Sequence, residues 1–172
     1  MNVGNIFPSL WRFLGIVAVQ VLLFKQIGLA GSHLTVLLYP LFILLLPLAT
    51  ATPYLVLLGF AVGMTVDAFY GTLGVHASAG AFAGLIRPSM VKILTPKGAN
   101  ASKGPIFSPE YVGWQTFLQA AALFFALHIF WYFSVDAFTF VYYGAITSKS
   151  LACWGLSMIF VVLYVAMFNP KD

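Results

Sequence analysis

Charge is what this chain has least of. Only 7% of its 172 residues are Asp, Glu, Lys or Arg, eight basic and four acidic, against about 25% in an ordinary soluble domain. Set beside 62% apolar residues and a mean hydropathy of +0.99, so few charges exclude a separate aqueous domain. They predict one integral membrane domain over residues 1–172. Cysteine is nearly absent too: Cys153 alone provides neither an internal disulfide nor a thiolate metal cluster. The net charge of +4 is not a nucleic-acid footprint, because the cations stand singly at the ends of apolar runs, without a basic patch interleaved with aromatics. No Gly-rich turn precedes a Lys and a Ser or Thr, no two carboxylates lie close together, and His33, His76 and His128 are scattered. No enzyme activity, metal or cofactor is therefore expected. The first apolar run lacks a small-residue cleavage site and reads as a retained helix.

What is present is apolar runs of membrane-crossing length. A helix rising ~1.5 Å per residue needs about 20 apolar residues to cross a ~30 Å hydrocarbon layer, and that ruler gives six spans. They are Phe7 to Phe24, Leu34 to Ala49, Tyr54 to Tyr70, Val75 to Leu94, Trp114 to Ser134 and Leu151 to Phe168. The run LLYPLFILLLPLA is apolar on every side, without the alternation a β-barrel strand requires, so the expected class is an all-α bundle of six transmembrane helices. Pro40 and Pro47 remove backbone donors, so the second span is expected to be kinked or tilted and braced by neighbours.

Cations near span ends stay on the cytoplasmic side. Arg12, Lys92, Lys97, Lys103 and Lys171, with Arg87 just inside the membrane, gather at one end, and Lys25 and Lys149 at the other. Both termini are therefore expected in the cytoplasm. The polar segment 95–113 is expected to be a mobile cytoplasmic loop, and residues 134–148, with Tyr142 and Tyr143, an interfacial segment. The aromatics Phe124, Phe125, Phe130, Trp131, Tyr132 and Phe133 are expected to pack at the lipid interface.

The stretch GFAVGMTVDAFYGTLGVHASAGAFAGLIRP departs from plain membrane helix. Gly59 and Gly63 stand four apart, as do Gly80 and Gly84, giving each helix a small face that is expected to make a close backbone contact, either with the other face inside the hairpin or with a partner's span. Asp67 shares the first face, and His76 and Arg87 the second. Gly71 and Gly74 bracket the turn. A carboxylate at mid-span costs about 2.5 to 3.5 kcal/mol on insertion scales, so Asp67 needs a partner. It is expected to hydrogen-bond the turn, and to tolerate Asn better than Ala, since Asn keeps an acceptor oxygen. Arg87 precedes Pro88, so the helix is expected to bend there and the guanidinium to snorkel to the inner interface. His128 and Gln20 are expected to be interhelical hydrogen-bond partners.

These residues carry a resemblance. VQVLLFKQIGLAG, LLYPLFILLLPLATATP and above all the Asp-to-Arg stretch resemble the rod-shape-determining membrane protein MreD family of bacteria, matched at Asp67, Gly71, Gly74, Ala77 and Arg87. The resemblance implies a six-helix fold similar to the vitamin-binding subunits of energy-coupling-factor transporters. It also implies a scaffold role in the cell-wall elongation complex of the inner membrane, holding MreC and, with it, RodA and its partner transpeptidase. Membrane lipid is the further partner. The runner-up function, a vitamin transporter's substrate-binding subunit, needs an outward pocket that Trp131, Tyr132, Tyr142, Tyr143, Asp67 and His76 could line. Sparse intramembrane charge disfavours an ion or proton transporter.

Overall fold

The computed structural model describes residues 6–25, 34–72, 74–94, 106–138 and 143–168, with side chains from residue 11 onward. Among these residues the protein is all-helical, with no strand. Its elements are α1 (Ile6–Val19) running into a π-helical turn (Gln20–Phe24), a single short turn α2 (Pro40–Leu44), α3 (Thr52–Tyr70), α4 (Val75–Leu94), the short α5 (Pro109–Val112), α6 (Trp114–Ala137) and α7 (Tyr143–Phe168). Three of them, α3, α6 and α7, are long and apolar enough to cross a membrane. Helix α4 has 20 residues, but its small residues, His76 and Arg87 make it less apolar. Both α6 and α7 outrun the expected spans, α6 to Ala137 and α7 from Tyr143. Of the expected interfacial segment, residues 139–142 lie outside the described residues.

The second expected span is not a spanning helix. Residues 34–38 are in no regular secondary structure, α2 supplies one helical turn from Pro40, and a turn follows. Val36 through Leu46 are all buried. Pro40 cannot donate to an earlier turn, and the helix starting at it has no room to lengthen before Pro47. Backbone that is neither helix nor sheet survives at membrane depth only where protein covers it and completes its hydrogen bonds.

Side chains of two other elements do this. Gln20, opening the π-turn, donates from Nε2 to Val36 O at 2.8 Å, and its Oε1 accepts from Leu38 N at 2.6 Å. From α7, Ser157 Oγ accepts from Leu37 N at 3.0 Å and Cys153 Sγ from Thr35 N at 3.3 Å. Gln20 thus acts as an interhelical partner, as expected of it, but its main client is unwound backbone. The π-turn is pinned through the same residue, whose carbonyl accepts from Lys25 N–H and from Tyr70 Oη at 3.1 Å.

Helices α3 and α4 form an antiparallel hairpin closed by the glycine faces. A Cβ at Gly59 would run into the Gly80 carbonyl, one at Gly80 into the Gly59 carbonyl, one at Gly63 into His76 backbone and one at Gly84 into Leu55 backbone. Each four-residue step up α3 meets a four-residue step down α4, so one flat face lies on the other, with no room for a partner helix between them. Helix α4 packs in turn on α6, and α6 on α7.

Two other expectations are corrected here. Of the loop 95–113, Ile106, Phe107 and Ser108 are fully buried, and Ile106 makes an antiparallel bridge to Pro47, so this end of the loop is core; residues 95–105 lie outside the described residues. Of the six aromatics assigned to the lipid interface, Phe124, Phe125, Tyr132 and Phe133 are buried, because α6 lies between α4 and α7 and presents two sides to protein.

Overpacking by one side chain costs about 1–3 kcal/mol. Gly63→Leu and Gly84→Leu are therefore expected to lower the thermal unfolding midpoint in detergent, while Gly155→Leu on α7, where a Cβ meets nothing within 4 Å, leaves it unchanged. Equal midpoints for all three would show that the hairpin is not closed by its glycines.

Candidate functional site

The polar residues of the hairpin gather at two places, one at each end of α4. At the first, α3 ends because Gly71 takes a left-handed conformation, φ 73°, and sends its N–H to Asp67 O at 2.8 Å. Gly74 follows at φ 87°, so both glycines sit where an L side chain would be strained. The reversal brings the start of α4 over the Asp67 carboxylate, which is 1% exposed.

Both carboxylate oxygens are used. Oδ1 accepts from Thr72 Oγ1 at 2.8 Å, His76 N at 3.1 Å and His76 Nδ1 at 2.9 Å. Oδ2 accepts from Gly74 N at 3.1 Å and Ala77 N at 2.9 Å. Three of the five donors are backbone N–H groups around the first turn of α4, which no helical bond can satisfy. A negative charge there also complements the positive end of the helix dipole. Asp67 is thus a helix cap supplied from the preceding helix.

His76 is fully buried. Its Nδ1 lies at hydrogen-bond distance from a carboxylate oxygen, and this geometry assigns the proton to Nδ1. Nε2 has no partner among the described residues. Tyr132, Tyr70 and Tyr39 surround the ring, with centroids 4.7, 5.0 and 5.7 Å away. Tyr39 also donates to His76 O at 3.2 Å and meets His128 edge-on at 5.1 Å. His128 bonds Ala79 O through Nδ1 at 3.0 Å, the interhelical role expected of it. The side chains proposed for an outward pocket are therefore divided: Asp67, His76 and Tyr132 pack against one another. Trp131 stacks on Phe82 at 4.3 Å and donates to Ser78. Tyr143 packs on Phe130, and Tyr142 lies outside the described residues.

At the other end Arg87 overturns the snorkelling expectation. It is 2% exposed, and α4 continues as helix through Pro88 to Leu94. The guanidinium turns inward and donates from Nε to Leu44 O at 3.2 Å, from Nη1 to Pro47 O at 3.4 Å and from Nη2 to Leu46 O. These carbonyls lie where α2 stops, Pro47 O accepting from Thr50 N at 3.1 Å as well, and a cation at a helix C-terminus also suits its dipole.

Comparison with protein-family models, with characterised proteins and with solved structures finds no match to this chain. What the site does must therefore be argued from its own chemistry. A carboxylate with five donors and a guanidinium on three carbonyls are arranged to hold backbone, and no group of three or more His, Cys, Asp or Glu among the described residues is placed to hold a metal ion.

Sequence reasoning located Asp67, Gly71, Gly74, His76 and Arg87 but missed Tyr39, Thr72, Ser157 and Cys153. The last two stand four apart on α7, small polar groups on one stripe of an apolar helix, a pattern that signals hydrogen bonding to a neighbour.

The use of both oxygens reverses the expectation for Asn. Whichever side of the amide takes the NH2 group, it points a donor at one or two backbone N–H groups that cannot accept. Asp67→Asn is therefore expected to lose nearly as much stability as Asp67→Ala, each at least about 2 kcal/mol for stranded buried N–H groups. Thermal unfolding of the two variants checks this; a wild-type midpoint for Asn would show that one oxygen suffices.

Proposed function

We propose that this chain is a non-enzymatic scaffold of the MreD kind in the bacterial cell-wall elongation complex, a multi-pass protein of the inner membrane with both termini cytoplasmic. On this reading it holds the single-span protein MreC and, through it, RodA and the partner transpeptidase. The observation that carries the proposal is how the intramembrane polar groups are used. Asp67, Gln20, Ser157 and Arg87 all bind backbone inside the fold, which suits a rigid platform. A platform that docks other spans presents apolar surface, and Leu57, Phe60, Leu151, Ile159 and Leu163 are among the large residues exposed on α3 and α7. The cations also support the orientation: Arg12 bonds Leu45 O near the Arg87 end, and Lys25 bonds Phe69 O near the Asp67 end.

The alternative of a vitamin-binding subunit is the weaker reading, because Tyr39, Tyr70 and Tyr132 fill the space around His76.

Affinity purification of the full chain from bacterial membranes tests the proposal. MreC, RodA and the transpeptidase are expected to copurify, and loss of the chain to round the cells. Recovery of an ATPase module with its coupling subunit, at normal cell shape, would overturn the scaffold reading in favour of transport.

A further inference from the structure

Among the described residues the buried Arg87 has no counter-charge. Its three carbonyl partners take three of the five guanidinium N–H donors, and no described carboxylate pairs with it. A cation held in a fold without an anion is costly unless something else neutralises it. Beside it lies a cavity of about 170 Å³, the share of roughly five or six water molecules and ample for a tetrahedral oxyanion.

Three sources of positive potential meet at this cavity. Arg87 lines it from within, and Lys92, more than one turn further along α4 and exposed, lines its mouth. Across from them are Thr50, two residues before α3 begins, and Leu55 in the first turn of that 19-residue helix, so the positive end of the α3 dipole faces this end of the cavity. The Thr50 hydroxyl adds a donor. The other walls, Leu48, Leu55 and Val91, are apolar and suit the glycerol and first acyl carbons of a lipid.

We propose that this cavity binds the phosphate of an anionic phospholipid at the end of the bundle where Arg12, Arg87 and Lys92 gather. A phosphate takes bidentate donation from a guanidinium that has N–H groups to spare, Lys92 closes over it, and the acyl chains leave along the lipid-facing side of α4. Because that end carries most of the cations, the site faces the leaflet whose anionic lipids attract basic residues.

The test uses the full chain purified in neutral detergent, with lipid binding read by native mass spectrometry and thermal unfolding. Dioleoyl-phosphatidylglycerol is expected to bind and raise the unfolding midpoint, and zwitterionic dioleoyl-phosphatidylcholine to bind at least about tenfold more weakly. Lys92→Ala is expected to weaken the anionic lipid roughly fivefold, the worth of one cation near a lipid surface, without changing the lipid-free midpoint. Thr50→Val should weaken it as well, whereas Lys149→Ala at the far end should not. The proposal is overturned by equal affinity for the two lipids, by unchanged affinity in both cavity variants, or by the same loss in Lys149→Ala, which would mean bulk charge. Displacement of the lipid by inorganic phosphate at equal concentration would also overturn it, because the site would then serve a soluble anion.

Discussion

Backbone N–H and C=O groups have no water to turn to inside a bilayer, and everything distinctive about this structure follows from how one unwound segment meets that constraint. Residues 34–47 run largely buried alongside α4, irregular at first and helical for one turn. Tyr39 reaches the His76 carbonyl at one end of α4, and the carbonyls of Leu44, Leu46 and Pro47 receive Arg87 at the other. Between those ends the glycine faces of α3 and α4 meet closely enough for Ile43 to pack beside Gly59. The hairpin and the unwound segment are therefore one unit. Leu adds to a core, but Gln20, Ser157, Asp67 and Arg87 decide which way the backbone runs, since each binds backbone groups outside the regular helical bonding.

The same constraint gives Asp67 its place. In a soluble protein the first N–H groups of α4 would be capped by a local Ser or Asp, or by water. Here the cap comes from the preceding helix, and the five bonds to one carboxylate fix the angle at which α3 hands the chain to α4. The tyrosines around His76 continue this arrangement sideways to α6 through Tyr132 and to the unwound segment through Tyr39. Rigidity of this kind suits the scaffold role proposed above.

Much of this was legible in the residues. Length and hydropathy located the long helices, four-residue glycine spacing marked two close-contact faces without saying whether they met each other or a partner, and Asp67 with Gly71 and Gly74 located the capped turn. What misled was treating hydrophobicity as sufficient evidence of helix. LLYPLFILLLPLA has the composition of a span, but composition does not distinguish a helix facing lipid from irregular chain inside a bundle, and the prolines, read as a kink, instead confine helix to one turn. Arg87 misled for a related reason. Position near a span end suggests snorkelling, whereas the carbonyls opened by the short α2, invisible in sequence, draw the guanidinium inward.

The central claim, that side chains of α7 and the π-turn complete the hydrogen bonding of residues 34–39, is tested most directly by amide hydrogen exchange. In the detergent-solubilised protein the Leu37 and Leu38 amides should exchange as slowly as those in the middle of α3. Ser157→Ala should release Leu37 alone, and Gln20→Leu should release Leu38. Fast exchange at both amides in the unsubstituted chain, with α3 still protected, would contradict the account.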